Sequence, residues 1–208
     1  MILNRSLQIK LYTLALTLLL AVAPCSQAAT DEDVVRSTTS AMLEQVNQNR
    51  DRLKQDPQVI QQLINGMLAP YFDFDRIGQL VLGTYWEDLD ADAQVCFIQG
   101  YHNLLVERYV YILLSYDNNS IRYEPSREIG DLGYRQLRQI ISTQGGAPVS
   151  VDYALEESGD SWKVVDLVID SVSLVRNYRG MYQSQINLQG LDYFNSNFQG
   201  SGNEHIVQ

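Results

Sequence analysis

Residues 149–174 read VSVDYALEESGDSWKVVDLVIDSVSL, and their alternation decides the architecture. Val149, Val151, Tyr153 and Leu155 fall on one side of a period-two pattern. In the following run Val165, Leu167 and Ile169 do the same against Asp166 and Asp170. Successive side chains of a strand point to opposite faces, so each run is a strand with one apolar face. Ser158-Gly159-Asp160 between them is a short hairpin connection, which makes the pair antiparallel.

Working outward, the same period predicts strands at Ile121 to Glu124 and Gly133 to Thr143, so that Ser161 to Leu174 is the fourth and last of a meander. Upstream the spacing changes. Val34, Val35, Met42, Leu43 and Val46 recur at helical intervals after the acidic start Asp31, Glu32 and Asp33, which predicts one long helix from Asp31 to Leu53. Pro57 opens a second helix that Pro70 closes, and Asp73 caps a third that ends at Gly83. A fourth runs from the cap segment Asp88 to Asp92 to about Tyr116. Its two apolar stripes, one through Phe97 and Tyr101 and one through Ile98, Leu105 and Tyr109, let it touch two things at once. After the sheet, a helix from Val175 to about Ile186 and a weaker one from Leu191 to Phe198 complete an α+β domain.

The N-terminus has a different character. Arg5 and Lys10 precede the apolar run Leu11 to Ala23, which Tyr12, Thr13 and Thr17 interrupt and Pro24 ends. That is the plan of a secretory signal peptide, residues 1–28, and it falls short of the roughly 20 apolar residues of a spanning helix. Small residues at Ser26 and Ala28 place the cut after Ala28. Pro24 argues against lipidation of Cys25. The division expected is therefore a signal peptide, a single domain over 29–198 and a disordered polar tail over 199–208.

Without Arg5 and Lys10, 13 of the 15 basic side chains face 25 acidic ones, a net charge of −12. Nucleic-acid phosphates and anionic headgroups repel such a surface. Cys96 then stands alone, so no intramolecular disulfide forms, and a lone thiol in an oxidising compartment is best buried. The sequence carries no GxSxG, HExxH, CxxC or glycine-rich phosphate loop. Its histidines are His102, read as a partly exposed helix residue, and His205. Asp88, Asp90 and Asp92 imitate the start of a calcium loop, but Ala93 stands where glycine is needed and Gln99 where glutamate is, so they are read as helix caps, as are Asp73 and Asp75.

Two blocks resemble the MlaC family of periplasmic phospholipid carriers, also described as toluene-tolerance proteins. The first is Phe72-Asp73-Phe74, Val81-Leu82-Gly83, Trp86, Gln94, Phe97, Leu104-Leu105 and Tyr109. The second runs from Trp162 to Ile169, with Val172-Ser173-Leu174-Val175 and Asn177-Tyr178-Arg179 after it. The resemblance implies helices packed on a curved antiparallel four-stranded sheet, nuclear-transport-factor-like in plan, enclosing an apolar pocket for acyl chains. It also implies a periplasmic, non-catalytic carrier that moves phospholipid between an outer-membrane lipoprotein complex and an inner-membrane ABC transporter with its lipid-binding ring, and so maintains outer-membrane lipid asymmetry. The cargo is phospholipid, no cofactor is implied, and a monomer is the expectation for a shuttle.

Exposing an acyl methylene to water costs about 0.8 kcal/mol, so a carrier must enclose its chains almost completely. The strand and helix faces nominate Tyr109, Ile112, Leu113, Val151, Tyr153, Leu167 and Ile169 as the lining. Tyrosine suits such a wall, with an apolar body and a polar tip. Two other readings remain open at this stage. One is a small isomerase or dehydratase using Asp152 beside Tyr153, or Asp166, although alternation turns both acids away from the apolar face. The other is an adaptor or chaperone that binds protein, which calls for an exposed groove instead of a cavity.

Overall fold

Thr30 and Asp33 form a capping box at the start of the first described helix: the Thr30 hydroxyl accepts from Asp33 N, and the Asp33 carboxylate accepts from Thr30 N. A computed structural model describes residues 29–115, 121–131, 133–142 and 147–200; the expected signal peptide, most of the polar tail and His205 lie outside them. Helix α1 runs Asp31–Gln55, and α2 runs Pro57–Met67 with proline at its first turn and the Asp56 side chain as cap. A 3-10 turn at Ala69–Tyr71 leads to α3, Phe74–Leu82, where Asp73 caps Arg76 N at 2.8 Å. A second 3-10 turn, Gly83–Trp86, precedes α4, Ala91–Ser115, whose cap is Asp90 bonding Ala93 N at 2.8 Å. Asp73 and Asp90 thus cap helices. Among the described residues no group of acids and histidines could hold a metal ion.

The sheet follows as β1 Ile121–Tyr123, β2 Arg127–Ile129, β3 Tyr134–Ile141, β4 Val149–Ser158, β5 Ser161–Ile169 and β6 Val172–Ser173, and the chain ends in α5 Leu174–Gln189 and α6 Leu191–Gly200. Every strand pairing is antiparallel, in the order β1-β3-β4-β5-β6 with β2 beside β3, and the sheet curls without closing. Among the described residues six strands stand where four were expected: one short strand, β2, was not expected, and the last of the four is interrupted. The unexpected one lies beyond Pro125 and Ser126, which end the expected first strand; β1 pairs with residues 139–141 of β3 and β2 with residues 134–136. The last reverses at Asp170-Ser171, both at positive φ (46° and 72°), the geometry of a tight hairpin turn; Ile169 then faces Val172. Asp170 tolerates that conformation while its carboxylate accepts from Ser150 N at 2.9 Å.

A bulge opposite Ala154 and Leu155 corrects a second expectation. Leu155 pairs with Val164 and Ala154 with Asp166, so Val165 is the extra residue and Val164 joins the inner face with Leu167 and Ile169.

The largest buried cluster joins α3, α4, α5 and α6. Phe97 sits at its centre, with ring centroids 6.4 Å from Trp86, 5.9 Å from Tyr101, 5.6 Å from Tyr182 and 6.2 Å from Phe194. Gly78 lets Trp86 lie on α3, since a Cβ there would come within 2.6 Å of the indole. Cys96, on the same α4, is only partly buried.

Candidate functional site

The first turn of α1 fixes one wall of the site. Asp31, 7% exposed, accepts from Arg135 Nε of β3 at 2.9 Å and from the Ser126 hydroxyl, while the Glu32 carboxylate accepts from Ser126 N at 2.8 Å. The acids that opened the helix pattern thus also pin α1 to the sheet. One turn on, Val34, Val35, Thr38, Thr39 and Met42 face inward. A second wall is clipped in place where Phe72 bridges to Val164 of β5 and Asp73 N donates to Val164 O, which sets Phe72 and Phe74 at the sheet's edge. Helix α4 supplies His102, Leu105 and Val106, while its other stripe, Phe97, Tyr101 and Leu104, belongs to the aromatic cluster.

Between α1, α2, α4 and the inner face of the sheet lies a cavity of about 230 Å³. Of the seven lining residues expected from sequence, Val151, Tyr153, Leu167 and Ile169 stand on its wall. Tyr109, Ile112 and Leu113 belong to the stretch of α4 whose side chains lie outside the described residues. Sequence reasoning did not nominate Val34, Val35, Thr38 and Met42 of α1, or Phe72 and Phe74. The i, i+1, i+4, i+8 spacing on α1 carried that signal, but it marks an apolar face without saying what lies opposite.

Among the described residues, the lining side chains bear no carboxylate, ammonium or guanidinium. A few polar groups interrupt the hydrocarbon. The Tyr153 hydroxyl donates to Gln139 Oε1 at 2.6 Å, and Gln139 is 1% exposed. Burial pushes the Tyr153 hydroxyl pKa up, with a nearby Thr39 hydroxyl partly offsetting it, so the phenol stays neutral. Thr38 Oγ1 and His102 Nε2 are buried without a hydrogen-bond partner. His102 packs edge-on to Phe74 at 4.8 Å, and burial lowers its pKa against a smaller opposing effect of Asn103, which favours the neutral ring. It is therefore a wall residue of the cavity, beyond the partly exposed helix position expected for it.

The two acids that an enzyme reading would use are committed elsewhere. Asp152, 5% exposed on the sheet's other face, accepts from Arg138 at 2.5 and 2.7 Å and from Gln136 Nε2 at 2.7 Å. Asp166 accepts from the Ser173 hydroxyl at 2.6 Å and from Val175 N at 3.0 Å, bracing the start of α5; burial raises its pKa against these bonds.

A family model described as MlaC protein matches residues 36–199. The chain is 26% identical to the intermembrane phospholipid transport system binding protein MlaC of Haemophilus influenzae, over 97% of each chain. It is 28% identical to the toluene tolerance protein ttg2D of Pseudomonas putida, over 85% of this chain and 83% of that one. Its fold is similar to the crystal structure of a phospholipid-binding protein from Ralstonia solanacearum in complex with a phospholipid, with a TM-score of 0.71 and 25% identity, covering 84% of this chain and 99% of the other.

Proposed function

This chain belongs to the MlaC family, and from that premise we propose that it is a periplasmic phospholipid carrier that holds acyl chains in the cavity between α1 and the sheet. The observation that carries the reading is a largely hydrocarbon wall around a space that the described side chains leave open, in a chain similar to one solved with a phospholipid bound. Protein interiors are close-packed, and a space of this kind costs stability unless a guest fills it. Burying a chain of some sixteen carbons withholds on the order of 12 kcal/mol of apolar hydration cost, enough to draw a lipid from water but not to fix it irreversibly against a membrane.

The carrier moves phospholipid between an outer-membrane lipoprotein complex and an inner-membrane ABC transporter with a lipid-binding ring, as a monomer and without chemistry. The engagement of Asp152 and Asp166 in structural bonds away from the cavity supports a binding protein over an isomerase or dehydratase. The apolar faces of α4 and the sheet stand apart and leave a lined space between them, as a lipid carrier needs. The acidic surface keeps the carrier off anionic membranes, while basic docking surfaces on its partners steer it in.

Native mass spectrometry of protein purified without detergent, followed by lipid extraction, tests this. Phospholipid is expected at near one-to-one stoichiometry in the native protein and is expected to be lost in folded Leu167→Asp or Ile169→Asp. A lipid-free mass together with no uptake from liposomes would overturn it.

A further inference from the structure

The polar groups on the cavity wall are few, and their types are selective. Thr38 Oγ1 is a buried hydroxyl with no partner, and a buried polar atom without one is costly enough that native structures rarely leave it so. Gln139 spends its Oε1 on the Tyr153 hydroxyl proton, so what it offers a guest is its amide donor side. Thr39 approaches the same Tyr153 hydroxyl, so Thr39, Tyr153 and Gln139 form one polar band from α1 to β4 and β3, and Thr38, next to Thr39 on α1, lines the same cavity. The band sits partway along the wall. In register, Val164, paired with Leu155, lines the cavity on one side of it, and Ile141 opposite Val149 lines it on the other.

Among the described lining residues none is charged, so a carboxylate or phosphate in the band would find no cation there, which argues against a free fatty-acid head or a lipid phosphate. A guest group that is neutral, accepts hydrogen bonds and has hydrocarbon on one side is what these donors fit. Resting on the carrier reading, we propose that Thr38 and Gln139 donate hydrogen bonds to an acyl-ester carbonyl of the bound lipid, so that the cavity selects ester-linked over ether-linked glycerolipids. Chain burial then supplies affinity, and the band fixes how deep the chains enter.

The test uses the full mature protein stripped of lipid. It compares uptake of a diacyl phosphatidylethanolamine with that of the dialkyl-ether analogue of equal chain length, each from vesicles otherwise identical. The native protein is expected to favour the diester about tenfold, equivalent to 1.4 kcal/mol. Thr38→Val and Gln139→Met together are expected to erase that preference, so that the double variant takes up the two lipids equally. Equal binding of the two lipids by the native protein would overturn the ester inference and leave the carrier reading standing, as would a preference that survives in the double variant. Binding of neither lipid would overturn both.

Discussion

Two apolar regions share α4, and they differ in what fills them. On one side, Phe97 is surrounded by Trp86, Tyr101, Tyr182 and Phe194, and the rings fill the space between the helices. On the other, Val34, Val35, Val151, Val164 and Ile169 are as apolar, yet they leave about 230 Å³ open. Hydrophobicity alone does not separate a core from a binding cavity; side-chain reach does. Large rings bridge the distance between two helices. Short β-branched side chains are stiff and hold to the wall that carries them. A space bounded by a helix clamped at Asp31 and a hydrogen-bonded sheet resists collapse.

The largest effect expected from this contrast is in the filled region. Phe97→Ala removes four ring neighbours and is expected to lower unfolding free energy by about 3–5 kcal/mol in denaturant titration, against about 1 kcal/mol for Val151→Ala on the cavity wall. Equal losses at the two sites would break the comparison. Filling the cavity sharpens it. Val151→Phe in a packed core would cost about 1–3 kcal/mol, whereas here the unfolding midpoint is expected to stay near native while lipid copurification drops. The smallest effect concerns His102, whose folded pKa burial holds below 6.5. Its contribution to stability is fully present above the unfolded pKa and is lost as pH falls through the folded one. Thermal unfolding between about pH 7 and pH 5 should therefore show a shallower acid loss in His102→Gln than in the native protein.

Much of this was legible in the sequence, and what was not had specific causes. Alternation in 149–174 placed Val151, Tyr153, Leu167 and Ile169 on the inner face because a strand has only two faces to choose between. Helix α4 does face two neighbours, but of its second stripe only Leu105 lines the cavity among the described residues, while Ile98 packs with the aromatic cluster. The turn at Asp170-Ser171 was hidden because neither residue is glycine, and an aspartate that reverses a strand looks like one that faces water. The bulge that moves Val164 inward depends on pairing with β4, which no single strand records. Gln139 falls inside a predicted strand, where nothing in the sequence marks it as buried. Its burial follows from Tyr153 lying across the pair from Leu137 and reaching it diagonally, a tertiary fact.

The walls of the cavity come from residues as far apart in the chain as Val34 and Leu174. No fragment shorter than nearly the whole domain contains the site, so occupancy and global folding are one equilibrium. A guest acts on the unfolding curve as a cross-link between the first helix and the last strands, adding stability that grows with the logarithm of its free concentration. Delivery of cargo and loss of that cross-link are then the same event, and the emptied protein leaves its partner as the less stable of its two forms.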